Sequence, residues 1–84
     1  MEVRKEEKLV ITDKQGVEHD FYSYSEYPDV TIETYHSGTL KGAIDIETTL
    51  ELINEENVIH ILPQGSDEVE SIDLHEIKSI TFEQ

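Results

Sequence analysis

The sequence predicts a mainly β domain, a small antiparallel barrel or roll with room for one short helix, and three observations carry that expectation. Val, Ile and Thr number 6, 10 and 7, which is 23 together, against a single alanine, Ala43. β-Branched side chains are stiff at χ1 and pack well on a pleated surface, whereas alanine is the strongest helix former. The apolar residues fall in short runs, several of which alternate with polar residues as half-buried strands do. Glycine, proline or asparagine punctuates these runs, the pattern of a chain built from hairpins. Disorder is the rival reading for so acidic a composition, but apolar residues make up 36% and are spread through runs that can form a core.

The elements follow in order. Residues 1–8 mix Arg4, Lys5 and Lys8 with three glutamates and are expected to fray. Leu9-Val10-Ile11-Thr12 reads as a short buried strand, and Asp13-Lys14-Gln15-Gly16 has the composition of a tight turn with glycine supplying positive φ. Val17, His19 and Phe21 then alternate with Glu18, Asp20 and Tyr22, which completes a first hairpin. Ser23 to Asp29 is a loop stiffened by Pro28. Val30, Ile32 and Thr34 alternate with Thr31, Glu33 and Tyr35. A turn at His36-Ser37-Gly38-Thr39, with room to extend to Gly42, leads into Ile44 and Ile46 on one face and Asp45 and Glu47 on the other.

Residues 45–57 support two readings. As a helix, Ile46, Leu50 and Ile53 fall at i, i+4 and i+7, with Asp45 or Thr48 placed to cap. As a strand, Leu50 and Leu52 alternate with Glu51 and Ile53, and Thr48-Thr49 with the turn-like Asn54–Asn57 tips the balance toward the strand. Val58 to Leu62 is a strand closed by Pro63-Gln64-Gly65. In the tail, Ile72 and Leu74 are two apart, Leu74, Ile77 and Ile80 three apart, and Ile80 and Phe82 two apart. That spacing favours strand, one 3₁₀-like turn and a final strand over a helix capped by Ser66.

Such an ending is how SH3-like and Sm-like barrels finish. The run Gly38-Thr39-Leu40-Lys41-Gly42-Ala43-Ile44-Asp45-Ile46 resembles the glycine-bent second strand of an Sm-like barrel. The resemblance covers residues 30–82 and implies a fold alone, because the polar and basic residues with which Sm-like proteins hold RNA have no match.

At 84 residues the chain makes one small acidic domain spanning 1–84, with a thin core that implies modest stability or burial in an oligomer. No apolar run approaches the roughly 18 residues of a membrane span, and no secretory leader pattern opens the chain, so a soluble cytoplasmic protein is expected. The absence of cysteine excludes disulfides, thiolate zinc sites and a thiol nucleophile. His19, His36, His60 and His75 stand singly, with no ligand spacing and no HExxH, and His60 reads as a half-buried strand residue. Gly65-Ser66-Asp67-Glu68 lacks the alternating oxygens of a calcium loop, and neither a nucleophile elbow nor a phosphate-binding glycine loop occurs. A domain this small also has little bulk to enclose a pocket of several hundred Å³, so catalysis, metals and cofactors are not expected.

What stands out is charge. The net charge is −14, and direct binding to a phosphate backbone, which needs Lys and Arg, is excluded by it. Residues 1–42 hold 9 acids and 5 bases, a net of −4, while residues 43–84 hold 11 acids and only Lys78, a net of −10. Asp45, Glu47 and Glu51, then Glu55 and Glu56, then Glu68, Glu70 and Asp73 compose an acidic display suited to a basic protein surface. Carboxylates on a rigid sheet imitate a row of phosphates, so the expected partner is a nucleic-acid-binding protein and the expected role an inhibitor that mimics DNA or RNA. The plainer reading of the same acids is a solvated face that keeps the domain in solution. Tyr24 and Tyr27, beside Tyr22 and Pro28, are candidate anchors, since tyrosine joins a rigid apolar ring to a polar tip. A self-associating assembly subunit is the alternative, motivated by short strands and a thin core.

Overall fold

A computed structural model describes residues 1–5, 9–24 and 27–83. Among these residues are two antiparallel sheets and one α-helix. The smaller sheet has the order β1-β2-β3, from Glu2–Arg4, Val10–Thr12 and Glu18–Asp20. The larger has the order β7-β6-β5-β4-β8, from β4 (Asp29–Thr34), β5 (Thr39–Ile44), β6 (Val58–Pro63), β7 (Glu70–Asp73) and β8 (Ile77–Phe82). The helix, α1, is Ile46–Glu56.

Both expected hairpins form. In the first, Ile11 faces His19, and Asp13 builds the turn: its backbone N–H donates to the Val17 carbonyl at 2.8 Å. Its Oδ1 accepts from the N–H groups of Gln15 and Val17, at 2.8 and 2.9 Å. Gly16 takes φ +84°, which a residue with a Cβ rarely adopts. The predicted alternation ends early, because Phe21 starts a 3₁₀ turn at Phe21–Ser23 and Val17 is exposed. Of the segment expected to fray, Glu2–Arg4 pairs with Val10–Thr12, and residues 6–8 lie outside the described residues. The second hairpin places Val30 opposite Gly42 and Ile32 opposite Leu40. Gly42 therefore lies within β5 and not in the turn. A Cβ there would collide with the Leu62 carbonyl and come within 2.9 Å of Pro63 Cα, so only glycine lets β6 approach this closely.

The strand preferred for residues 45–57 is corrected: the segment is helical. The Asp45 side chain caps it, accepting from Thr48 N–H at 3.1 Å and from Thr48 Oγ1 at 2.8 Å. Asn57 closes it in the left-handed region at φ 55°. Ile46, Thr49 and Ile53 form the buried face. Thr49 Oγ1 accepts from His60 N–H at 3.0 Å, and Asp45 N–H donates to the His60 carbonyl at 2.8 Å. The helix thus satisfies the backbone of β6 where β5 has turned away. That bond, between residues eleven apart, is what local alternation could not register.

The ending is strand, 3₁₀ turn (Leu74–Glu76) and strand, as the spacing predicts. Barrel closure is not found. Among the described residues no ladder joins β7 to β8. One edge of β8 pairs with β4, and its Ile80 carbonyl accepts from Lys14 N–H at 3.1 Å, so the first hairpin is fastened to that strand. The small sheet docks where a closing strand would lie. Phe82 carries the junction: it stacks on His19 at 4.1 Å and on Tyr24 at 5.1 Å, and meets Phe21 edge-on at 5.9 Å. Leu9, Ile11 and Phe21 from this side join Ile32, Ile44, Ile59, Ile61 and Ile80 in one continuous core.

Candidate functional site

The acids singled out from the sequence separate into two groups. Glu47, Glu51 and Glu55 lie at i, i+4 and i+8 on α1, all exposed, and Glu56 is exposed at the helix end. Like charges four apart on a helix repel, and a glutamate in the last turn opposes the helix dipole. Asp45 is committed to the cap and is half-buried. In the second group, Glu70 and Asp73 lie on β7, the outermost strand of its sheet. Asp73 caps the 3₁₀ turn, accepting from His75 N–H at 2.8 Å. Glu68 is exposed in the turn before β7.

Glu70 and Asp73 line an open groove of about 530 Å³ together with Glu76, Leu40 and Ile72. Thr34 and Ser37, at the tip of the β4–β5 hairpin, form its other wall, and Tyr35 N–H holds that tip in place by donating to the Glu76 carbonyl at 3.0 Å. The expectation concerned an enclosed pocket, and this groove is open to solvent. Leu40, Ile72 and Glu76 were missed from the sequence. Their apolar and acidic characters are visible there, but only the holding of the β4–β5 hairpin tip at Glu76 brings them together.

Arg4 and Lys14, two of the basic residues near the N-terminus, are engaged elsewhere. Arg4 pairs with Glu18 at 2.8 Å and Lys14 with Glu33 at 3.1 Å. Among the described residues, no lysine or arginine pairs with the glutamates of α1 or with the three acids of the groove. The carboxylates therefore keep their charge on display.

The tyrosines divide. Tyr27 is 56% exposed and free to touch a partner, as are Tyr22 and Tyr35. Tyr24 is half-buried and packs on the core. Its hydroxyl lies 2.7 Å from His19 Nδ1, and His19 Nε2 lies 2.8 Å from Asp13 Oδ2. The hydrogen bond from His19, helped by the backbone N–H groups of Val17 and Gln15, holds the Asp13 carboxyl below its ordinary range. Burial, and to a lesser degree the Asp13 charge, pushes the Tyr24 hydroxyl up. The chain Asp13–His19–Tyr24 locks the hairpin to Phe82. It gives a hydrogen-bond partner to the buried Asp13 carboxyl and to the half-buried His19 and Tyr24.

His60 is buried more deeply than expected, with Nδ1 3.2 Å from Ser71 Oγ and Nε2 without a partner among the described residues. Among those residues no three His, Asp or Glu side chains converge as a metal site requires, and no helix is long and apolar enough to cross a membrane. No family model matches the chain, and no curated protein or solved structure matches it.

Proposed function

We propose that this domain is a non-catalytic binding protein that uses its acids to dock on a basic surface of another protein. The fitting partner is a nucleic-acid-binding protein whose phosphate-holding cleft it occupies as an inhibitor. The observation that carries the reading is the pairing pattern. Arg4 and Lys14 are engaged by Glu18 and Glu33, while Glu47, Glu51 and Glu55 on α1 and Glu70, Asp73 and Glu76 around the groove have no basic partner among the described residues. Clustered charge of one sign on a rigid frame raises the association rate with an oppositely charged surface and makes binding sensitive to salt.

The test is capture from nuclease-treated lysate with stepwise salt elution, run beside a Glu47→Lys/Glu51→Lys/Glu55→Lys variant and a Glu70→Lys/Glu76→Lys variant. The expected result is one dominant nucleic-acid-binding protein, released from the parent only at high salt and held less tightly by at least one variant. If both variants retain it as the parent does, the acids are a solvated face and the proposal fails. Capture of nothing but further copies of the chain would favour the assembly reading over this one.

A further inference from the structure

The groove beside β7 is more than acidic. Glu70, Ser71, Ile72 and Asp73 all line it, although successive residues of a strand point to opposite faces. It therefore runs along the edge of β7, not beneath one face. β6 occupies the other edge, and among the described residues β7 is the last strand of the sheet with no strand on its outer edge, which leaves those backbone groups open to pairing. The floor is apolar and half-buried, from Leu40 and Ile72, and the rim carries Glu70, Asp73 and Glu76.

We propose that this groove receives an extended basic segment of a partner protein, in which Lys or Arg alternates with aliphatic residues, as an added antiparallel or parallel strand on β7. The inference rests on the acidic-docking reading above and names the partner's chemistry. A strand alternates its side chains every residue, so one set lies on the face of Glu70 and Ile72 while the other lies on the face of Ser71 and Asp73, and each face offers a carboxylate. Main-chain bonds to β7 supply affinity that charge alone lacks. Four residues of added strand extend about 13 Å, a length matched to the four residues of β7.

The experiment titrates the ¹⁵N-labelled full chain with an acetylated, amidated heptapeptide alternating Lys or Arg with Val. Two controls have the same composition but are N-methylated at alternate amides, one in each phase. They keep the charge, and each loses the donors of one edge. Expected are amide shifts centred on residues 70–73 and 34–40. One control should bind at least tenfold more weakly, a loss that a few missing hydrogen bonds account for. The other should bind as the parent peptide does. Glu70→Gln/Glu76→Gln should weaken the parent peptide by about three- to tenfold, as two exposed ion pairs allow.

If both controls bind like the parent peptide, or the shifts map to Glu47, Glu51 and Glu55, no strand is added and this proposal is overturned while charge-driven docking stands. Absence of any shift at low salt also overturns it, and the lysate capture then decides whether docking itself survives. Concentration-dependent broadening at residues 70–73 without peptide would assign the edge to a second copy and likewise defeat the proposal.

Discussion

Replacing Glu51 by lysine should make the protein more stable, and the size of the gain follows from the helix. Glu51 is exposed in α1, four residues after Glu47 and four before Glu55. Each like-charge pair at this spacing costs about 0.2–0.5 kcal/mol, and each opposite pair returns a similar amount. Glu51→Lys removes two repulsions and creates two attractions, one of them with glutamate N-terminal to lysine, the better orientation. Lys and Glu have nearly equal helix propensity, so the backbone is indifferent to the change. The expected gain is about 1–2 kcal/mol, which for a domain near this size raises Tm by roughly 4–15 °C. Thermal and urea unfolding at low ionic strength measure it. In 1 M salt, where the screening length falls to about 3 Å, most of the gain should vanish. A variant no more stable than the parent at low salt would show that the stripe is not self-repelling, and the reasoning that the acids are held at a cost to folding would be refuted. On the acidic-docking proposal, binding should move the other way, since the same lysine removes negative charge from α1.

Gly42→Ala should cost about 3 kcal/mol, measured as a shift in the urea midpoint at unchanged slope, because the added methyl meets the backbone of Leu62 and Pro63 and not a flexible side chain. A loss under about 0.5 kcal/mol would mean that β5 and β6 separate freely. The pH dependence of unfolding should show two limbs set by the hairpin lock. The Asp13 carboxyl sits below its ordinary 3.8 in the folded chain, so its contribution is present above that value and is lost as pH falls from about 4 toward the folded value. The Tyr24 hydroxyl is raised above its ordinary 10.0, so its contribution is present below pH 10 and is lost as pH climbs toward the folded value. Asp13→Asn should flatten the acid limb and, by removing the charge beside Tyr24, slightly lessen the alkaline one, whereas Tyr24→Phe should flatten the alkaline limb; a parent-like alkaline slope in Tyr24→Phe would place that ionisation elsewhere.

The strands of this domain are written in local chemistry. Gly16 and Gly38 take positive φ at the two hairpin turns, and the shifting spacing from Ile72 to Phe82 marks the 3₁₀ corner. Each of these signals lies within a few residues of what it specifies, so each is legible without the rest of the chain. The helix is a partial case. Its cap at Asp45 and its apolar face were visible, but the decision between helix and strand rests on the bond from His60 N–H to Thr49, which exists only once β6 is in place. Tyr24 shows the same limit. Its position suggested an anchor, and the stacking of Phe82 on its ring half-buries it against the core.

Net charge, the imbalance between the two halves and the mainly β fold were settled by composition and pattern, which are properties of the chain read in order. Which acids stand together was not. Glu70 and Asp73 meet Glu76, Leu40 and Ile72 because the tip of the β4–β5 hairpin is held at Glu76 across the groove from β7, and among the described residues the sheet stays open while the first hairpin holds β8 through Ile80. Those placements depend on strand register and sheet curvature, which join residues some thirty positions apart through backbone bonds that any sequence can make. The side chains advertise the charge, and only the packing of the backbone turns part of it into a groove.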